Sequence, residues 1–226
     1  MLQRVRQQLR AHFPPQPLQA TRARARYSNT NYQLLIAAIE AATERPIHDV
    51  LHEQLFAPLR MHDTWHPAHP PARIDRPVIA PAALWTGDRM LQAPLMLQSL
   101  EDYYSTTPDL LRLLRALTGG ALFANPQTWP AMCARWIRFS LPRDRAALRS
   151  PSWPIEYGLG VMRFEMPRWL APLRPVPPIL GHSGSTGSWL FHCPQRDLLL
   201  AGTVDQITAG AVPFRFLPKV LRELSG

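Results

Sequence analysis

At 226 residues, with 46% apolar and 18% charged side chains, the chain has the balance of a folded globular protein rather than a disordered one. No apolar run approaches the roughly 18 residues that a membrane-spanning helix needs, and residues 1–12 (MLQRVRQQLRAH) lack the continuous apolar stretch of a secretory signal. Two cysteines, Cys133 and Cys193, are too few for a disulfide scaffold or a four-cysteine zinc site and read as core residues. The formal charge is +9, and of the 25 basic residues only Lys219 is a lysine. Arg22, Arg24 and Arg26 alternate, so on an extended segment they would share one face and could meet phosphates. No interleaved aromatics, zinc-finger spacing or RNP-like motif accompanies them, which argues against nucleic acid and for a solvated arm.

The first helix is predicted after Asn29, where Tyr32, Leu35, Ile36 and Ile39 recur at helical spacing until Pro46. Ile47, Val50, Leu51 and Leu55 repeat the pattern up to Pro58. Residues 62–98 lose periodicity and fill with His and Pro, predicting a long irregular region. Thr107-Pro108-Asp109 opens a third helix, with Thr107 as cap and Asp109 facing the positive end of the helix dipole, and Gly119-Gly120 closes it. Asn125-Pro126 starts a fourth helix whose Trp129, Met132, Cys133 and Trp136 form a buried stripe.

Beyond residue 150 the period changes. Tyr157–Met166 reads as one strand with glycines at its start. Trp189, Phe191 and Cys193 alternate as a half-buried strand should; Pro194-Gln195-Arg196-Asp197 is a turn, and Asp197–Val204 returns antiparallel. Leu217, Val220, Leu221 and Leu224 make a closing amphipathic helix. The order, helices then strands then a helix, is that of an α+β protein.

Two short stretches carry candidate chemistry: Tyr27-Ser28-Asn29 before the first helix, and His182-Ser183-Gly184-Ser185-Thr186-Gly187 at the start of a strand. Each is weak alone. Tyr27 and Asn29 also read as a turn and helix cap, and His182 as an ordinary strand histidine. Adjacent strand residues point to opposite faces, which argues against a His182–Ser183 dyad. Ser28 has no positioned base in the sequence to make it a nucleophile. His62, Asp63, His66 and His69 have ligand-like spacing, but prolines break the helix that would hold it, so they read as a surface loop and not a metal site. His52-Glu53 begins a zinc-protease pattern that fails at Phe56.

With three further elements, the two stretches resemble the β-lactamase-like serine hydrolases related to class C β-lactamases, penicillin-binding proteins and esterases. Tyr27-Ser-Asn-Thr-Asn-Tyr32 is similar to the family's Tyr-x-Asn element. Pro58-Leu59-Arg60-Met61-His62-Asp63-Thr64 resembles its Pro-Leu-Gly-Met-x-x-Thr turn, with Arg60 in place of glycine. Ser105-Thr106-Thr107-Pro108-Asp109-Leu110 resembles its Ser-Thr-x-x-Asp-Leu helix start, and Tyr157-Gly158-Leu159-Gly160 its Tyr-Gly-Leu-Gly strand. His182-Ser183-Gly184 matches the variant of Lys-Thr-Gly in which histidine replaces lysine. The resemblance implies a partial β-lactamase/transpeptidase-like fold: an arm over 1–26, then a domain over 27–226, mainly helical in 27–150 and an antiparallel sheet with a C-terminal helix in 151–226.

The family's nucleophile is the serine of a Ser-x-x-Lys motif upstream of Tyr-x-Asn. Here the residue three before the single lysine is Phe216, so that motif is absent. Only 26 residues precede Tyr27, so the resemblance is expected to begin after the nucleophile, with this chain inactive alone. The resemblance implies a catalytic proton shuttle at Tyr27, a substrate-holding amide at Asn29, and His182 where lysine usually orients an anionic group. It implies substrate contacts at Ser183, Gly184 and Ser185, the last offering a backbone N–H to an oxyanion. A histidine mostly neutral at pH 7 tilts the substrate toward esters, small amides or peptides rather than acidic β-lactams. No cofactor and no metal are implied. Self-association or an N-terminal partner segment is expected, because an unpaired edge and apolar surface should remain around residues 189–204. A non-catalytic ligand-binding or interaction module on the same fold is the alternative.

Overall fold

The computed structural model describes residues 28–71, 77–91, 102–138, 155–166 and 175–224. The Arg22–Arg26 strip and Tyr27 lie outside the described residues.

Helix α1 (Asn29–Thr43) starts where the apolar spacing begins, after Ser28, and ends at Glu44, which takes a left-handed conformation (φ 55°) two residues before Pro46. Helix α2 (Ile47–Leu51) follows at once and runs into a π-helical turn, His52–Phe56. Of the stripe expected from the spacing only Ile47 is buried; Val50, Leu51 and Leu55 are half-buried, and Phe56, which was not on it, is buried instead. Arg60, standing where the family has glycine, adopts φ 54°, the left-handed region glycine occupies without strain.

The region read as irregular contains a short hairpin, β1 (Leu84–Thr86) and β2 (Arg89–Leu91), turning at Gly87. Three-residue strands carry too little alternation to be seen in sequence, and this hairpin is held from outside: Gln206 donates to the Gly87 carbonyl at 2.8 Å and accepts from the Gly87 N–H at 3.1 Å. The histidine stretch is not simply a surface loop either. His66 is 5% exposed, and the His69 ring stacks on His48 at 3.7 Å.

Helix α3 (Thr107–Thr118) is capped one residue earlier than expected, by Thr106, whose hydroxyl accepts from the Asp109 N–H. Asp109 does more than face a dipole. It is 2% exposed, accepts from the Asp63 N–H at 2.8 Å and the Thr64 hydroxyl at 3.0 Å, and pairs with Arg112. Thr64 also bonds Ser105 at 2.7 Å, so two of the sequence motifs meet in one buried polar hub. Helix α4 is short (Thr128–Met132); Trp129, Met132, Cys133 and Trp136 are half-buried rather than buried, and Trp136 lies beyond the helix.

The main sheet has the order β3-β4-β5-β6-β7-β8, every pair antiparallel: β3 (Ile137–Arg138), β4 (Ile155–Tyr157), β5 (Met162–Phe164), β6 (Ile179–Ser183), β7 (Ser188–Cys193) and β8 (Leu198–Thr203). The stretch read as one strand is thus two, because Gly158–Val161 turn back with Gly160 at φ 72° and the Gly158 N–H bonded to the Val161 carbonyl. Directly paired residues share a face, so Phe164 with Ile179, and Cys193 with Leu198, lie on the side covered by helix α5 (Val212–Glu223). There Phe214, Leu217 and Leu221 pack, whereas Leu224, expected on the buried stripe, is 59% exposed. Pro213 sits in the first helical turn, where its missing N–H costs nothing. Helix α3 lies against β7 and β8. Among the described residues β8 is paired on one side only, and no helix is long and apolar enough to cross a membrane.

Candidate functional site

A groove of about 820 Å³ opens between α1 and the ends of β6 and β7. Small-molecule sites fall within about 300–1,000 Å³. One wall is the apolar stripe of α1: Tyr32, Leu35 and Ile39 are 37%, 58% and 39% exposed, and no residue of this helix is buried. The stripe that helical spacing revealed therefore faces this opening. Met162, Trp189 and Leu190 of the sheet contribute the apolar part of the opposite wall.

The sequence-predicted site residues that are described all meet here. Asn29, the first residue of α1, lines the groove together with His182, Ser183, Gly184 and Ser185. His182 and Ser183 end β6, and Gly184–Gly187 form the turn into β7, closed by the Gly184 N–H to the Ser188 carbonyl at 2.8 Å. Glycine is required just before the histidine: a Cβ on Gly181 would stand 2.0 Å from the Leu190 carbonyl oxygen across the hairpin. Gly187 has φ 86°, and a Cβ there would press on Val204 and Gln206, so the turn is seated on the segment after β8.

The ring of His182 is held in one sense. Its Nδ1 lies 2.8 Å from the Ser183 carbonyl oxygen, an atom that can only accept, so Nδ1 carries the proton. Burial pulls the imidazole pKa below 6.5, with the Ser183 bond opposing it. A neutral ring with Nδ1–H leaves the lone pair on Nε2, which faces the Tyr157 hydroxyl at 3.5 Å, a long contact with ring centroids 5.7 Å apart. Tyr157 was missed as a site residue. It stands out in the sequence only as the start of the Tyr-Gly-Leu-Gly strand, and nothing local indicates that β4 ends beside His182.

This arrangement can accept a proton or hydrogen bond at Nε2, offer a phenol, and enclose an apolar group. Among the described residues that line it there is no arginine or lysine to meet an anionic substrate. Asp102 also lines the groove, its carboxyl pKa raised by burial and lowered less by His66. Among the described residues no three His, Cys, Asp or Glu side chains converge as metal ligands.

A protein-family model described as Beta-lactamase matches residues 3–206, taking in most of the stretch read as an arm. The D-stereospecific amidohydrolase from Streptomyces sp. is 23% identical with a TM-score of 0.61, the match covering 86% of this chain and 55% of that one. The D-amino acid amidase from Ochrobactrum anthropi SV3 is 20% identical with a TM-score of 0.65, covering 89% and 58%. The octameric penicillin-binding protein homologue from Pyrococcus abyssi is 16% identical with a TM-score of 0.59, covering 86% and 42%. These likenesses are of fold, and the chain spans little more than half the length of the first two. Comparison with curated proteins finds no significant match. The family model runs through both motif-bearing segments and the sheet that joins them in one groove, and the chain belongs to the β-lactamase family of serine hydrolases.

Proposed function

We propose that this chain supplies the substrate-binding and proton-handling part of an ester- or amide-hydrolysing site that works through an acyl-serine. The observation that carries this reading is the convergence of Asn29, Tyr157 and His182-Ser183-Gly184-Ser185, drawn from both ends of the sequence, on one groove. In it, Nε2 of neutral His182 takes a hydrogen bond or proton in exchange with the phenols, Tyr27 being assigned here by its motif. Asn29 holds the substrate, and the turn after β6 presents backbone N–H groups toward developing negative charge. The 226 residues contain no Ser-x-x-Lys, so the acyl-accepting serine comes from a segment outside this sequence, and the chain alone binds without turnover. The octameric relative is consistent with self-association at the β8 edge, which is unpaired among the described residues. The same missing motif also favours a second reading, a non-catalytic binding module.

The test is hydrolysis of a p-nitrophenyl ester and of nitrocefin by this chain, alone and with a peptide helix carrying Ser-x-x-Lys added. No turnover alone and turnover on addition is the expected result. Binding without turnover in either case selects the module. Turnover by the chain alone, abolished in Tyr27→Phe, would reveal a nucleophile among these residues and overturn the proposal.

A further inference from the structure

The turn Gly184–Gly187 is supported in two ways. Within it, the Gly184 N–H bonds the Ser188 carbonyl at 2.8 Å and the Gly187 N–H bonds the Gly184 carbonyl at 3.2 Å. From outside, the Val204 N–H donates to the Gly187 carbonyl at 3.1 Å. Gly187 also lies so close to Gln206 that an added Cβ would stand 2.9 Å from the Gln206 carbonyl oxygen. The backbone of 204–206 is therefore the floor of the turn, and whatever fixes Gln206 bears on the turn.

That floor lies beyond the sheet. Strand β8 ends at Thr203, and Asp205 takes a left-handed φ of 50°, its N–H donating to the Thr203 hydroxyl at 3.0 Å. Hairpin β1–β2 bonds to the same segment. The Trp85 N–H donates to the Asp205 carbonyl at 2.8 Å, and the Gln206 amide takes both backbone groups of Gly87, its carbonyl at 2.8 Å and its N–H at 3.1 Å. An uncharged primary amide matches a peptide's acceptor and donor at once; an ionised carboxylate of the same length has no donor to give. We propose that Gln206 is a positioning residue for the site turn: its grip on Gly87 fixes the 204–206 floor, and with it the aim of the Ser185 N–H. The role of that N–H rests on the function proposed above; the coupling of hairpin to turn does not.

The test is amide hydrogen exchange on the full chain without ligand, read as protection relative to the parent at the same pH. In Gln206→Ala, exchange at Gly87, Gly184 and Gly187 is expected to rise together by about fivefold, as the loss of exposed hydrogen bonds allows, with Phe191 and Cys193 in β7 unchanged. Gln206→Glu is expected to match Gln206→Ala at neutral pH, where its carboxylate sets an oxygen against the Gly87 carbonyl. Toward about pH 4.5 the carboxyl gains a proton and can donate again, so its excess exchange shrinks while that of Gln206→Ala persists. That rescue is a signature a merely space-filling side chain does not give. Faster exchange at Gly87 with the turn unmoved, an equal rise at Phe191 and Cys193, or no rescue of Gln206→Glu by acid each overturns the proposal. None of these results depends on turnover, so failure here leaves the hydrolysis reading standing, and failure of the hydrolysis test leaves the coupling.

Discussion

The sheet with α5 and the helix α1 use the same kinds of side chain to opposite ends. Phe191, Cys193 and Leu221 are 0% exposed, closed between two layers. Leu35 and Ile39 of α1 are as apolar and as regularly spaced, yet they stand 58% and 39% exposed along a groove. Periodicity tells which face of an element is apolar; it does not tell whether that face is covered by another element or left for a ligand. The sheet layer is closed and carries the core, whereas the α1 stripe lines an open groove.

The largest expected effect is in the layer itself. Phe191→Ala opens a cavity among Ile179, Phe214 and their neighbours and should cost about 3–5 kcal/mol in urea unfolding. The matched change on α1, Leu35→Ala, should cost about 0.5 kcal/mol or less, while weakening an apolar ligand about tenfold through the contact area it removes. Comparable losses of stability from the two substitutions would break the comparison by showing that the stripe is covered.

The smallest effect concerns acid. Burial holds His182 below 6.5, and His192 likewise, with Arg115 adding to the depression and Asp197 opposing it. The unfolded chain therefore takes up protons first as pH falls. These histidines contribute their full stability above about pH 6.5, and it is lost as pH drops through that value toward the folded-state pKa. Urea midpoints measured from about pH 8 to about pH 5 should fall on acidification, less steeply in His182→Gln than in the parent. Parallel curves for the two proteins would mean that His182 is not the desolvated group described here.

Much of the architecture was legible because period and punctuation are local. Glycine and proline marked the ends of α3 and the turn at Pro194–Asp197, and alternation marked β7. What was misread depended on distant partners. The hairpin β1–β2 exists where Gln206 grips Gly87 from the far end of the chain. The turn at Gly160 divides what read as one strand, and Leu159 is fixed there by a bond to the Met132 carbonyl. Trp136 was placed on a helical stripe, but it flanks the sheet, with the Arg163 guanidinium over its ring at 4.7 Å. Of the site, Asn29 and the His182–Ser185 segment were recognisable as motifs, whereas Tyr157 and Asp102 were not, since neither has a local signature of its position.

The sequence by itself determined the family, the α+β order, and the absence of a Ser-x-x-Lys nucleophile, because motifs and residue counts need no coordinates. Only the tertiary structure decided that the apolar face of α1 lines an open groove, that the Ser183 carbonyl fixes the proton of His182 on Nδ1, and that Tyr157 comes beside that ring. Burial, tautomer and local field depend on which distant segments meet, and the order of residues along a chain does not specify those distances.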